Sequence, residues 1–197
     1  MRIPTDKEIR ALHEEFAPTR AAFELVHTHC EIVCKAAEQL LRHRPSVDGD
    51  LVRAGCLLHD IGVYRLYDKN GVLDHTRYIQ HGVLGQDLLC EQGFPETLCR
   101  FCAHHTGVGL TREDVQSQGL PLPIDDYLAD TPEEELVMYA DKFHSKSNPP
   151  VFVSADTYAA KVRRFGADKA AKFADLRARY GEPDLLALQK TYAHSTV

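Results

Sequence analysis

The chain has 197 residues, of which 44% are hydrophobic, and a net charge of -6. This length suits one domain with its own core, and the acidic balance argues against long nucleic acid as a partner, because such binding needs a concentrated basic face. No apolar run approaches the ~20 residues that span a bilayer. The N-terminal residues lack a basic segment followed by an apolar one, so we expect a cytoplasmic protein without a membrane partner.

Two histidines of the first long helix fall on different faces of it. Thr5 and Glu8 form a capping-box pattern that opens a short helix, and a longer helix is predicted from about Ala21 to His43. Periodicity puts His29 on the apolar stripe of the longer helix and His27 among charged residues. The stripe consists of Leu25, Ile32, Val33, Ala36 and Leu40. The sequence therefore predicts a core-facing His29 and a surface His27.

The central motif is Leu57-Leu58-His59-Asp60-Ile61-Gly62, at the end of an apolar run that begins at Leu51. An ionised carboxylate buried far from water must be paired or bound to a metal, so a buried Asp60 would need a cation. Alternatively, His59 favours the dipole at a helix C-terminus and Asp60 faces solvent. Other inward-facing histidines and carboxylates are needed to choose between these interpretations.

The segment after this motif has a turn signal and then another helix. Asn70-Gly71 is typical of a hairpin turn, so the sequence allows a small hairpin here. The next helix is predicted from about Tyr78 to Cys90. His81 shares a face of that helix with Leu84, Gly85 and Leu88, so His81 is core-facing.

A further helix starts with Pro95 at its first position and ends near Gly107. His105 lies on its apolar face and His104 on the opposite one, so we favour His105 as the functional residue. A long connection from 107 to 131 follows, and loops of this length are more often functional than idle. This loop could form one wall of a cleft.

The last predicted helix of the core begins at Thr131-Pro132 and carries Asp141 on its apolar side. Beyond it, three short helices carry no ligand-like cluster. These helices either pack on the core or form a homodimer contact, and the sequence leaves both open. We expect an all-α fold and a single domain over residues 1–197, with a core at about 20–146 and a C-terminal extension at 150–197.

The cysteines are predicted to be free thiols, since most fall inside helices where a small buried thiol is the usual role. Cys99 and Cys102 lie close to the paired histidines at 104 and 105, which suggests a zinc site. A second cysteine pair at zinc-ribbon spacing is missing, however.

Five predicted helices supply an inward-facing set of imidazoles and carboxylates. A single buried histidine is usually a hydrogen-bonded core residue, but a set of six is harder to explain in that way. Such ligands without thiolate suit a divalent ion such as Mn, Fe, Co, Ni or Zn. The set consists of His29, His59, Asp60, His81, His105 and Asp141.

In this order, the motifs resemble those of the HD superfamily of metal-dependent phosphohydrolases. The segment His59-Asp60-Ile61-Gly62 is similar to the HDIG-type central motif, the helix around His29 to the first-histidine helix, and Tyr139-Ala140-Asp141-Lys142 to the closing aspartate. The resemblance covers about residues 23–143. His81 and the pair at 104 and 105 further resemble the subset in which extra histidines hold a second metal.

The resemblance implies a helical bundle with a metal centre of one or two ions in its middle. The implied activity is hydrolysis of a phosphomonoester or phosphodiester of a small metabolite, commonly a nucleotide, by a metal-activated water, with His59 and Asp60 as catalytic residues and Asp60 bridging two ions. Cations near the motifs are candidates for holding the substrate phosphate. They are Lys142, Arg65, Arg77 and Lys146.

Two other functions fit the same motifs. One is a regulatory module that senses a nucleotide without turning it over, and the other is a di-iron oxygenase of the same fold. The glycine-rich signature that follows a paired histidine in cyclic-di-nucleotide phosphodiesterases is absent after His105.

Overall fold

The computed structural model of the chain describes residues 2–42 and 46–197, which form α-helices, short 3-10 turns and one small sheet. This confirms the all-α prediction. The α-helices are α1 (Asp6–Phe16), α2 (Arg20–Leu41), α3 (Gly49–Leu58), α4 (His81–Glu91), α5 (Glu96–Ala103), α6 (Arg112–Ser117), α7 (Pro132–Ala140), α8 (Ala155–Val162), α9 (Ala167–Tyr180) and α10 (Leu185–Tyr192). The 3-10 turns are Ile61–Leu66, His75–Gln80, Asp141–Phe143 and Arg163–Phe165. None of these helices combines the length and the apolar character needed to cross a bilayer.

The helix starts follow the capping residues of the sequence. Thr5 and Glu8 form both hydrogen bonds of a capping box at α1, and the Asp48 side chain accepts two backbone N–H groups at the start of α3. Thr131 caps α7, which has Pro132 in its first turn. The predicted C-terminal end of the second helix, at His43, lies outside the described residues.

The core forms around α2, which packs against α3 and α7, while α5 packs against α3 and α4. The 3-10 turn Ile61–Leu66 lies against α4. The faces that meet are those with apolar periodicity, because burial of apolar surface drives helix packing. Their fully buried members include Ile32, Leu58, Ile61, Leu88, Phe101 and Tyr139.

Two helix starts differ from the sequence prediction, whereas the small hairpin that the sequence allowed is present. The helix predicted from Tyr78 begins at His81, after a separate 3-10 turn, and Pro95 is the N-cap of α5 and not its first residue. The hairpin consists of a single antiparallel bridge between Tyr67 and Leu73. Gly71 adopts a positive φ of 76° in its turn, a conformation that glycine adopts at little cost.

A three-stranded sheet, which the sequence analysis missed, joins the end of the core to the C-terminal residues. Strand β1 (His144–Ser145) pairs antiparallel with β2 (Val151–Phe152), and β2 pairs parallel with β3 (Ser195–Thr196). Each strand has two residues, which is too short for a period-2 pattern to be detected.

The C-terminal helices pack on the core, which was one of the two alternatives left open by the sequence. Phe173 and Leu176 of α9 are buried, and the Tyr139 hydroxyl of α7 donates a 2.7 Å hydrogen bond to the Gly181 carbonyl. Helix α10 lies against α2.

The prediction of a surface His27 was wrong. Its ring stacks on Phe23 at 4.9 Å and meets the edge of the His13 ring at 5.2 Å, and the residue is buried. The reason is that α1 covers this side of α2. Periodicity within one helix does not show which neighbour covers its second face.

Candidate metal centre

Four side chains from three parts of the core converge on one point. His29 projects from α2, His59 and Asp60 directly follow α3, and Asp141 directly follows α7. The Nε2 atom of His29 lies 3.0 Å from Asp141 Oδ1, 3.1 Å from Asp60 Oδ2 and 3.2 Å from His59 Nε2. Two further pairs place His59 Nε2 at 3.4 Å from Asp60 Oδ2 and 3.5 Å from Asp141 Oδ1.

These separations fit the coordination of one ion. Ligand atoms about 2.1 Å from a metal lie about 3.0 Å apart at right angles and about 3.4 Å apart at tetrahedral angles. The four atoms are therefore spaced as ligands of one cation would be, and they form one of two groups suited to a metal ion within the described residues.

A second group shares Asp60 with the first. Its Oδ1 atom lies 3.4 Å from His81 Nε2 and 3.6 Å from His105 Nε2, and these two nitrogens are 3.0 Å apart. The two oxygens of Asp60 thus face different groups. Asp60 is therefore common to both groups.

The backbone determines which ring nitrogen of three histidines carries a proton. The Nδ1 atoms of His59, His81 and His105 lie 2.7, 2.6 and 3.1 Å from the carbonyl oxygens of Cys56, Tyr78 and Phe101. A carbonyl oxygen accepts only, so each Nδ1 carries the hydrogen and each Nε2 presents a lone pair.

His59, His81 and His105 therefore turn lone pairs, and not protons, toward the carboxylate oxygens of the centre. The clearest case is Asp60 Oδ1, which is buried and has no hydrogen-bond partner among residues 2–42 and 46–197. A buried acceptor of this kind is costly unless a cation compensates it. The residues present consequently fit a divalent metal.

The protonation states agree with this chemistry. Burial raises the pKa of Asp60, but Lys146 and the surrounding histidines more than offset it and hold the pKa well below its usual range. The same balance of burial against Lys142 lowers the pKa of Asp141. Burial lowers the pKa of His81 to about 3 and also lowers that of His105. Both carboxylates are thus ionised, and these two imidazoles are neutral near pH 7.

Two of the four cations predicted to hold phosphate lie at the centre. Lys146 pairs with Asp60 Oδ2, and Lys142 donates to Asp141 Oδ2 at 2.7 Å and to the His105 carbonyl at 2.9 Å. Arg65 instead pairs with Glu91, and Arg77 donates to Gln80. Neither arginine lines the cavity at the centre, so the geometry gives their predicted role no support.

His104 lies away from the centre. Its Nδ1 atom is 3.7 Å from Glu134 Oε2, a carboxylate that also accepts from Arg100. The structure thus separates the paired histidines, with His105 in the centre and His104 outside it.

A cavity of about 550 Å³ opens beside the centre. Its walls include residues 107–110 of the loop that was expected to form a wall. Six residues of the C-terminal extension also line it, namely Val153, Tyr158, Lys161, Val162, Phe165 and Lys169. Sequence reasoning missed Tyr78, Tyr158 and His144, all of which line the cavity. The sequence did contain a signal for His144, namely its position three residues after Asp141. Asp141 begins a 3-10 turn, and His144 directly follows that turn.

The cysteines take no part in this centre. All six are free thiols, as predicted, and only Cys90 is exposed. In the part of the chain that the structure describes, no group suited to a metal includes a cysteine. The zinc site considered around Cys99 and Cys102 is not formed.

Three curated proteins share part of this sequence. The uncharacterized protein MJ0778 of Methanocaldococcus jannaschii is 40% identical over 122 residues, which are 60% of this chain. Two proteins named tRNA (cytidine(56)-2'-O)-methyltransferase, from Picrophilus torridus and Thermoplasma volcanium, are 36% and 31% identical over 63% and 66% of this chain. The chain spans 65%, 33% and 35% of the length of these relatives, respectively.

Solved structures show the same fold. One is the HD domain of the L. monocytogenes phosphodiesterase PgpH in complex with cyclic-di-AMP. The match covers 94% of this chain and 97% of the PgpH chain, with a TM-score of 0.53 and 15% sequence identity. The same domain without that ligand matches 94% and 99% with a TM-score of 0.53 and 17% identity.

The family model of the HD domain matches residues 26–146, which is more than half of the chain and contains the whole candidate metal centre. The chain therefore belongs to the HD domain family.

Proposed function

We propose that this chain is a metal-dependent phosphohydrolase that cleaves a phosphomonoester or phosphodiester of a small metabolite such as a nucleotide. The observation that carries the proposal is the placement of Asp60, whose Oδ2 faces His29 at 3.1 Å while its buried Oδ1 faces His81 at 3.4 Å. Membership of the HD domain family supports it.

In this proposal the two groups of side chains hold the ions. His29, His59, Asp60 and Asp141 would hold one divalent ion, and Asp60, His81 and His105 would hold a second. A divalent ion held in this way lowers the pKa of a water molecule toward ~7 and polarises a phosphoryl oxygen. The metals that suit these ligands are Mn, Fe, Co, Ni and Zn.

The two lysines would bind and orient the phosphate. Lys142 uses two of its N–H groups on Asp141 and the His105 carbonyl, so a third can reach into the cavity that the lysine lines. Lys146 is the other cation at the cavity and is held by Asp60. Charge-assisted hydrogen bonds of this kind are the strong contacts for a phosphate.

We also propose that residues 1–197 act as one domain. The cavity supports this, because the core contributes Asp60 and Lys142 to its walls while the extension contributes Tyr158 and Lys161. A substrate in the cavity would therefore contact both parts of the chain.

The substrate class can be tested directly. Metal-stripped protein is reloaded separately with Mn, Fe, Co, Ni and Zn, and phosphate release or product formation is measured for mononucleotides, cyclic nucleotides and cyclic-di-AMP, the ligand of the PgpH domain. Asp60→Asn removes the shared carboxylate, whereas Asp125→Asn alters an exposed ion pair with Arg112 and serves as the matched control.

Turnover that depends on metal, is lost in Asp60→Asn and is kept in Asp125→Asn is the expected result. Nucleotide binding without turnover, with the ions shown to be bound by elemental analysis, would contradict the hydrolase and favour a sensor. Oxygen consumption that requires iron would contradict it in favour of an oxygenase.

A further inference from the structure

His29 differs from the other imidazoles of the centre in the partner of its Nδ1 atom. His59, His81 and His105 each use a backbone carbonyl, whereas His29 Nδ1 lies 2.8 Å from Nδ1 of His144. The ring of His144 then continues to His194, with 2.9 Å between His144 Nε2 and His194 Nδ1. Three imidazoles thus run from the centre to the C-terminal segment.

The small sheet holds this arrangement in place. His144 stands opposite Phe152 in the pairing of β1 with β2 and packs its ring against the Phe152 ring at 5.2 Å. The Val197 N–H donates to the Phe152 carbonyl at 3.0 Å, which brings the C-terminal segment alongside. The rings of His194 and His144 lie nearly in one plane, with 5.1 Å between their centroids and 21° between their planes. His144 is buried, so its ring has little freedom to turn away.

Two nitrogens at 2.8 Å share one hydrogen, so only one of the two Nδ1 atoms carries it. If His144 donates, His29 carries its own hydrogen on Nε2 and directs it at the carboxylates. If His29 donates, its Nε2 lone pair faces His59, Asp60 and Asp141 in the way that a ligand atom must. In the second arrangement His144 carries its hydrogen on Nε2 and donates it to His194.

We propose that His144 is a positioning residue for the metal centre: it accepts the Nδ1–H of His29 and thereby holds the Nε2 lone pair of His29 toward the ion, while His194 holds His144 in the matching tautomer. The proposal rests on the metal dependence of the proposed function. A ligand histidine whose second nitrogen loses its partner typically binds metal 10–100-fold more weakly. His144 is a side chain and not a backbone carbonyl, so this partner can be removed by mutation.

The test is the affinity of metal-stripped protein for Co²⁺, measured by calorimetry, together with the visible spectrum of bound Co²⁺. His144→Phe keeps the ring and removes the acceptor, and His144→Asn returns an acceptor at the Nδ1 position. His27→Phe is the matched control, because His27 is another buried histidine of the core and lies outside the centre. We expect about 10–100-fold weaker binding in His144→Phe, most of it restored in His144→Asn, and an unchanged affinity in His27→Phe.

A second measurement does not depend on any variant. Long-range ¹H–¹⁵N correlation spectra of the Zn²⁺-loaded wild-type protein report the tautomer of each histidine. The proposal expects hydrogens on His29 Nδ1 and His144 Nε2. A hydrogen on His144 Nδ1, or wild-type Co²⁺ affinity in a folded His144→Phe protein, would overturn it.

These results are separate from the phosphohydrolase proposal. Normal metal-dependent turnover and Co²⁺ binding in His144→Phe would remove the positioning role and leave the hydrolase intact. Weakened Co²⁺ binding in that variant, combined with no turnover of any phosphorylated substrate by the wild-type protein, would support the positioning role and remove the hydrolase.

Discussion

A Cβ atom added to Gly62 would lie 2.1 Å from the carbonyl oxygen of His81. The backbone at the end of the central motif therefore packs directly on the first turn of α4. The same added Cβ atom would lie 2.2 Å from the backbone nitrogen of Gly85 in that helix. This contact holds His81 close to Asp60, which lies two residues before Gly62 in the chain. The glycine of the motif is thus required by packing, since any larger residue would push α4 away.

Substitution of this glycine tests the contact. Gly62→Ala should lower the free energy of unfolding by about 1–3 kcal/mol or more, because the clash is with backbone atoms that cannot rotate away. Urea denaturation of the metal-free protein measures the change. Gly49→Ala is the control, since its nearest neighbour would be 4.0 Å away and the site is helical; it should be neutral or stabilising by up to about 1 kcal/mol. Equal stabilities of the two variants would contradict the close packing.

The paired histidines should differ in their effect on metal content. His105→Ala removes a nitrogen that lies 3.6 Å from Asp60 Oδ1, so binding should fall from two ions to one. His104→Ala removes a ring that contacts Glu134 and should leave the number of ions unchanged. Elemental analysis after dialysis against a limiting metal concentration gives the stoichiometry. Loss of an ion in His104→Ala alone would reverse this assignment.

Loss of the Lys146 charge should weaken substrate binding without weakening metal binding. Lys146→Met removes a cation that pairs with Asp60, so metal affinity should hold or rise while KM for a phosphorylated substrate rises about 10–100-fold, the range of a hydrogen bond to a charged group. Steady-state kinetics at saturating metal separates the two effects. Arg65→Met is the control, because Arg65 pairs with Glu91 away from the cavity, and its KM should match that of the wild-type protein. A KM effect confined to Arg65→Met would exclude this role for Lys146.

The buried His13 should make stability depend on pH. Its Nε2 lies 2.7 Å from the Leu57 carbonyl, so it donates there, and its Nδ1 accepts from the Tyr64 hydroxyl at 2.9 Å. Burial lowers the pKa of His13 from 6.5 to about 4. Between pH 6.5 and pH 4 the unfolded chain binds a proton at His13 more readily than the folded protein does. The contribution of neutral His13 to the free energy of unfolding is therefore complete above pH 6.5. It is lost as the pH falls toward 4, by up to roughly 3 kcal/mol.

Replacing this histidine should flatten the pH dependence. His13→Phe lacks the titrating ring, so its unfolding free energy should fall less than that of the wild-type protein between pH 7 and pH 4.5, although it is less stable at pH 7 because two polar partners are left unpaired. Tyr64→Phe keeps the imidazole and should retain the wild-type slope. Denaturation curves across this pH range give the comparison, and a wild-type slope in His13→Phe would show that other groups carry the pH dependence.

Local patterns in the sequence were enough to identify the helices and most of the centre. Helical periodicity distinguishes the inward from the outward face of one helix, and this is why His29, His81 and His105 could be separated from neighbours such as His104 before any packing was known. Capping residues located the starts of α1 and α7, because they act on the first turn of their own helix.

Packing between elements decided the remaining features. Burial of His27 depends on α1, the contact of His144 with His29 depends on a sheet of two-residue strands, and the pairing of Arg65 with Glu91 directs that arginine away from the cavity. None of these contacts leaves a periodic pattern in the sequence. Each one joins residues of separate elements, and the distance between them depends on how those elements pack together. The sequence by itself determined the inward face of each long helix that carries a residue of the centre, whereas only the tertiary structure determined which second faces are covered, as at His27, and which side chains meet.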